Sequence, residues 1–127
     1  MISRRQARRQ ALFLLYQWDL SGAEIGSQYA GEIDPWAREL AERTAASAAE
    51  LDRRITAASD GWTADRLGVV ERSALRIAIH ELDGGEVPPE VAINEAVTFA
   101  KRYASEDGAR LVNGILGRIQ REGAVSG

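Results

Sequence analysis

The chain has 127 residues, 45% of them hydrophobic, and a formal net charge of −3. That length supports one domain with a real core, and the composition excludes a disordered chain. The absence of cysteine excludes a disulfide framework, a thiolate metal site and a cysteine nucleophile. No apolar run approaches the roughly 20 residues that span a bilayer, so no membrane segment is expected.

The charge is unevenly placed. Arg4, Arg5, Arg8 and Arg9 give the first nine residues +4 with no acid, which leaves −7 for the rest of the net −3. A basic end on an acidic body predicts local contact with a polyanion and leaves the body for a basic protein partner. ALFLLY, following the arginines, is too short for a signal peptide and runs straight into polar QWDLS, which points to a cytoplasmic chain.

Residues 3–20 read as a helix capped by Ser3. Ala7, Ala11, Leu14, Leu15 and Trp18 share one face and should enter the core. Arg5, Arg9, Leu12 and Tyr16 line a neighbouring stripe, bordered by Arg4 and Arg8. Guanidinium groups followed by an aromatic ring suit a single-stranded nucleic acid, which needs phosphate neutralisation and a stacking surface. A solvated helix end with Tyr16 half in the core explains the same residues.

Residues 21–33, with Gly22, Gly26 and Gly31, read as a loop with room for a short helical turn. Asp34-Pro35 is a cap followed by a first helical position. Trp36, Leu40 and Ala41 begin an apolar stripe that continues through Leu51 and Ile55, as two helices broken near 44–47. Asp60-Gly61 ends it, and Trp62 is expected to anchor that turn against the core. Thr63 is a candidate cap for a short helix containing Leu67. Val70, Ala74, Leu75, Ile77, Ala78, Ile79 and Leu82 then make a helix apolar over much of its circumference, the pattern of a central helix.

Asp83-Gly84-Gly85 stops that helix, and Pro89 suits the first position of the next. Ala92, Ile93, Ala96, Val97, Ala100, Tyr103 and Ala104 form its apolar face. Ser105 reads as a cap, with Glu106 and Asp107 in the first turn complementing the helix dipole. Leu111, Val112, Ile115, Leu116 and Ile119 form the final stripe. Asn113-Gly114 would signal a hairpin between strands. Here the period on both sides is helical, so Gly114 is expected inside a helix, where it costs roughly 1 kcal/mol and lets another helix approach. Residues 122–127 read as a frayed tail. No segment alternates as a strand does. The expected fold is all-α: a single-domain bundle of six or seven helices, with sub-bundles at about 1–61 and 62–121 around the central helix 69–82.

Catalysis finds no support. His80 is the only histidine, and Glu106 with Asp107 has a sufficient reason at a helix start. The glycines lack phosphate-loop spacing. No catalytic residue, cofactor or metal is expected. A second basic cluster does stand out: Lys101, Arg102 and Tyr103 before a helix N-terminus, then Arg110. Cations, an aromatic and free N–H groups suit RNA backbone and base edges. A helix junction with solvated charges and Tyr103 in the core is the competing reading.

The segment 87–116 also carries a resemblance. VAINEAV, followed by AK, an aromatic, SED and VNGIL, resembles the C-terminal signature of the NusB family of bacterial transcription antitermination factors. VVERSALRIAIHEL at 69–82 looks like the helix that precedes that signature, and the arginine cluster with ALFLLYQWDLS looks like the family's first helix. The resemblance spans the chain nearly end to end and is weakest between 23 and 61. It implies a non-catalytic role: binding the single-stranded boxA element of ribosomal RNA operon transcripts together with NusE, a basic ribosomal small-subunit protein, in the RNA polymerase antitermination complex. It carries RNA contact onto Arg5, Arg8, Arg9, Tyr16, Tyr103 and Asp107, beside the neighbouring candidates Arg4, Lys101 and Arg110. The arginines would supply sequence-independent affinity, the tyrosines would stack bases, and Asp107 would tune affinity. Leu111 and His80 stand where the family commonly has aromatics, so fewer stacking contacts are expected. Glu71 and Glu81 are candidates for the NusE face, with ordinary surface acids as the alternative. Some members of the family form homodimers. Two other roles keep the fold: a helical adaptor that binds only protein, and the N-terminal domain of a ribosomal RNA cytosine methyltransferase.

Overall fold

The computed structural model describes residues 2–126, with side chains for 2–123. Six α-helices and one 3-10 turn occur among them, and no strand: α1 Arg4–Ser21, α2 Pro35–Ala46, α3 Ala48–Ala58, the 3-10 turn Ala64–Arg66, α4 Val69–Gly84, α5 Pro89–Tyr103 and α6 Glu106–Ser126. Helices α1, α2 and α6 begin where side chains satisfy their first N–H groups. The Ser3 hydroxyl accepts from Gln6 N at 3.1 Å while the Gln6 side chain accepts from Ser3 N at 3.0 Å, a reciprocal box. Asp34 accepts from Ala37 N at 3.1 Å, with Pro35 in the first turn. The Ser105 hydroxyl accepts from Gly108 N at 2.9 Å. Helices α1 and α4 stop at Gly22 and Gly85, whose φ of 73° and 71° is cheap only for a residue without Cβ.

Helix α4 is central. It packs against α1, α2, α3, α5 and α6, and buries Ser73 through Ile79 without interruption. One continuous core joins all six helices, with Leu14, Leu15, Ile55, Leu75, Ile79, Val112 and Leu116 fully enclosed. Each such side chain contributes about 2 kcal/mol of transfer free energy. Charge also crosses this interior. Arg76 of α4 grips Asp52 of α3 through two bonds of 2.8 and 2.7 Å and reaches Asp19 of α1 at 3.2 Å. Arg72 meets the same Asp19 at 2.8 Å and donates to the carbonyls of Ala64 and Leu67. A guanidinium is suited to this because five donors can serve several acceptors at once.

Five expectations need correction. Trp62 does not anchor its turn; it is 54% exposed, and the Ser59 hydroxyl closes the turn by donating to the Trp62 carbonyl at 2.6 Å. The short helix after Thr63 is only a 3-10 turn, and Leu67 lies beyond it, though buried. No helix approaches Gly114: a Cβ there would meet nothing within 4 Å. Leu12 belongs to the core and not to the outer stripe of α1. Helix α6 continues to Ser126, past the expected fraying point, with Arg118 paired to Glu122 one turn on at 3.1 Å. The last residue of the expected tail, Gly127, lies outside the described residues.

Candidate nucleic-acid interface

The start of α1 holds no acid and carries four arginines within six residues, 4 to 9. Cations at a helix N-terminus oppose the helix dipole by about 0.3–1 kcal/mol each. Their placement therefore does not serve the helix itself, and their partners matter. Arg8 turns inward. Its Nε and Nη2 donate to the two carboxylate oxygens of Glu81 on α4, at 2.7 and 2.9 Å, and both residues are buried. Arg4 lies over the Trp36 ring of α2, 4.4 Å from guanidinium carbon to centroid, with Arg8 at 5.6 Å from the same ring. Arg5 donates through Nε to Glu95 of α5 at 3.2 Å. Arg9 has no carboxylate partner among the described residues.

Beyond the arginines the outer stripe becomes aromatic. Phe13 packs edge-on against Phe99 at 5.4 Å and against Tyr103 at 4.9 Å, and those two rings lie 4.8 Å apart. Tyr103 remains 38% exposed, with the Arg102 guanidinium 5.5 Å from its ring. Tyr16 is half-buried. Phe13 and Arg5 thus both join α1 to α5, so Arg5, Phe13 and Tyr103 share one edge of the molecule, with Arg9 between Arg5 and Phe13 at helical spacing and Arg4 turned toward α2.

At the α5–α6 junction the charges answer each other. Arg110 pairs with Asp107 at 2.5 Å and approaches Glu106 at 3.9 Å, and Lys101 approaches Glu106 at 3.9 Å. Lys101 and Arg110 are thus offset by Glu106 and Asp107, and Arg102 at the Tyr103 ring is the cation of this junction with no acidic partner among the described residues. Exposed pairs of this kind are weak, and a stronger anion can replace the carboxylates.

The acidic candidates separate. Glu81 is consumed by Arg8 in the interior, so neither Glu81 nor Arg8 is presented to a ligand as expected. Glu71 is half-buried beside Gly68 and Gly108; a Cβ on either glycine would stand 2.6 or 3.1 Å from its carboxylate. It therefore sits at the start of α4 and close to the start of α6, where the dipoles favour an acid. Ten residues of helix, roughly 15 Å, separate Glu71 from Glu81, so the two form no common patch. His80 is half-buried at the rim of a cleft shared with Trp36 and Glu86. Among the described residues no group of three His, Cys, Asp or Glu side chains could hold a metal, and no helix is long and apolar enough to cross a membrane.

Sequence reasoning missed Phe13, Trp36 and Glu95. Phe13 had a signal: it lies four residues after Arg9 and eight after Arg5, a spacing as consistent with the outer stripe as that of Leu12. Trp36 and Glu95 act across the fold and had no local signal.

These features define a class: a six-helix domain whose arginine-bearing first helix meets an aromatic seam that opens to solvent at Tyr103. The sequence profile of the NusB family matches residues 5–121. A transcription antitermination protein NusB of Rubrobacter xylanophilus is 39% identical over 122 residues, covering 91% of this chain and 88% of its own. NusB of T. maritima superposes with a TM-score of 0.81 at 33% identity, covering 95% and 92% of the two chains. A chain from a crystal structure of the antitermination factors NusB and NusE in complex with dsRNA superposes at 0.80 with 30% identity, covering 94% and 96%. The chain belongs to the NusB family of transcription antitermination proteins, which is not a family of enzymes.

Proposed function

We propose that this protein acts in the cytoplasm by binding boxA-type single-stranded RNA in ribosomal RNA operon transcripts, together with NusE, and so helps RNA polymerase pass terminators. The observation that carries the reading is the edge formed by Arg5 of α1 with Phe13 and Tyr103, with Arg9 between Arg5 and Phe13 at helical spacing and Arg4 beside it over Trp36. Guanidinium groups neutralise phosphates and the ring faces stack bases, and the two lie side by side. Asp107 stands at the same end of α5 as Tyr103, paired with Arg110, and its charge tempers RNA affinity there. A similar chain crystallised with NusE and double-stranded RNA supports both partner classes and makes duplex RNA a necessary control.

The test is fluorescence anisotropy with boxA-type single-stranded RNA, a scrambled strand and a duplex, with and without NusE, at two salt concentrations. Preference for the boxA strand, strengthened by NusE and weakened by salt with a slope near 0.7 per phosphate contact, is the expected result. Equal binding to all three RNAs overturns the boxA assignment. NusE binding without any RNA contribution overturns the RNA role and leaves a protein adaptor.

A further inference from the structure

The VAINEAV stretch of α5 contains a single charged residue, Glu95, and RNA binding as proposed above assigns it no role. Its side chain is 17% exposed, whereas that of its partner Arg5 is 64% exposed. The contact between them is single: Arg5 Nε donates to one Glu95 carboxylate oxygen at 3.2 Å. Both Nη groups of Arg5 are left without a hydrogen bond among the described residues. Nη1 and Nη2 form the end-on edge of the guanidinium, and that edge is a bidentate match for a phosphate. Glu95 also stands four residues before Phe99 and eight before Tyr103 on α5, as Arg5 stands eight before Phe13 on α1. The ion pair and the Phe13–Phe99–Tyr103 cluster are therefore two stations of one seam between the two helices.

Stability does not account for this pair. Its arginine is mostly in water, where such contacts contribute little. A carboxylate placed to block phosphate would engage two guanidinium donors with both oxygens and occupy an Nη group; Glu81 holds Arg8 in that way, through Nε and Nη2. Glu95 instead takes the one donor that an end-on phosphate does not need. We propose that Glu95 is a positioning residue for RNA binding: it holds Arg5 by Nε and presents the Nη pair to a backbone phosphate at the aromatic seam. An unrestrained arginine loses much of its rotamer freedom on meeting a phosphate; here the fold has already fixed it. This inference rests on the RNA reading of the α1 edge.

The experiment compares the full chain with Glu95→Ala, Glu95→Gln, Arg5→Ala and Arg5→Ala/Glu95→Ala, using a fluorescein-labelled boxA-type RNA across a salt series, with thermal melts alongside. Glu95→Ala is expected to weaken binding roughly three- to tenfold at low salt, a loss on the scale set by tenfold per 1.4 kcal/mol, and to lower the salt slope by about 0.7. Glu95→Gln keeps an oxygen for Nε and should stay within about twofold of the unaltered chain. The double variant should match Arg5→Ala alone. If Glu95→Ala lowers the melting temperature, Glu95→Asp, which keeps the charge and shortens the reach, must show the same weakening. Tighter RNA binding by both Glu95→Ala and Glu95→Gln overturns the proposal, because the carboxylate is then a competitor. Unchanged binding by Glu95→Ala beside weakened binding by Arg5→Ala overturns it while leaving the RNA reading intact. Unchanged binding by Arg5→Ala and by Arg9→Ala overturns the RNA reading at this edge and the proposal with it.

Discussion

Arginine does two different jobs in this molecule. In the interior, Arg8, Arg72 and Arg76 meet carboxylates of Glu81, Asp19 and Asp52 and tie α4 to α1 and α3. At the edge, Arg4 and Arg5 have one light contact each, to an indole face and to a single carboxylate oxygen, and Arg9 has no acidic partner among the described residues. Arg8 and Arg9 are adjacent in sequence and fall on opposite sides of this division. The difference lies in what each meets. A guanidinium held by both carboxylate oxygens in the interior is closed to a ligand by its burial, whereas an exposed one with a single donor engaged keeps its fork in solvent. Density of arginine in a sequence thus overstates the arginine open to a ligand, here by one residue in four.

The sharpest way to break this comparison is to treat Arg8 as if it belonged to the edge. Arg8→Ala leaves the Glu81 carboxylate buried without its partner and should cost about 3–5 kcal/mol of stability, read as a fall in the midpoint of urea unfolding. Replacing both members, as in Arg8→Met/Glu81→Leu, removes the stranded charge and should restore most of that loss. The restored variant should bind RNA within about twofold of the unaltered chain. A well-folded double variant with tenfold weaker RNA binding would return Arg8 to the interface.

The reverse experiment removes edge arginines. Arg5→Ala/Arg9→Ala should weaken RNA binding at low salt by roughly tenfold or more and lower the salt slope by about 1.4, two contacts at 0.7 each. Its unfolding midpoint should move little, since Arg5 is exposed and Arg9, though half-buried, has no acidic partner to strand among the described residues. A large loss of stability with unchanged RNA affinity would put Arg5 and Arg9 in the same group as Arg8.

Helical periodicity carried most of the fold. The six helices, the break at Ser47 and the central place of α4 were readable because caps, glycine stops and apolar stripes agreed with one another. What was not readable was partnership across the fold. Arg8 and Arg9 look alike in sequence, and only the approach of Glu81, 73 residues away, separates them. The outer stripe of α1 failed in a smaller way. Leu12 and Phe13 both fit the helical spacing after Arg9, and packing against Phe99 and Tyr103 selected Phe13. Gly114 failed for lack of a neighbour: a glycine inside a helix suggests a close approach, and none exists. That gives a control at a position where an added methyl group meets no arginine. Gly114→Ala should stabilise the protein by about 1 kcal/mol through helix propensity alone, and a thermal melt showing destabilisation would mean that something does pack there.

The smallest effect tests how the edge is held. Ser3 and Gln6 close the first turn of α1 by two reciprocal bonds, and Arg4 and Arg5 lie inside that turn. Arg8 lies a turn later and is fastened by Glu81 whatever happens at the cap. Ser3→Ala should therefore cost only about 0.5 kcal/mol in stability, because fraying reaches the first turn and stops at the buried pair. The same fraying loosens Arg4 and Arg5 relative to Trp36 and Glu95, so RNA affinity should fall about twofold, a change that anisotropy titrations in triplicate resolve. If affinity falls while amide exchange speeds up only before Arg8, the edge depends on helical order that the interior arginine secures. If exchange speeds up through Ala11 as well, the Arg8–Glu81 pair is not the fixed point from which the edge is built.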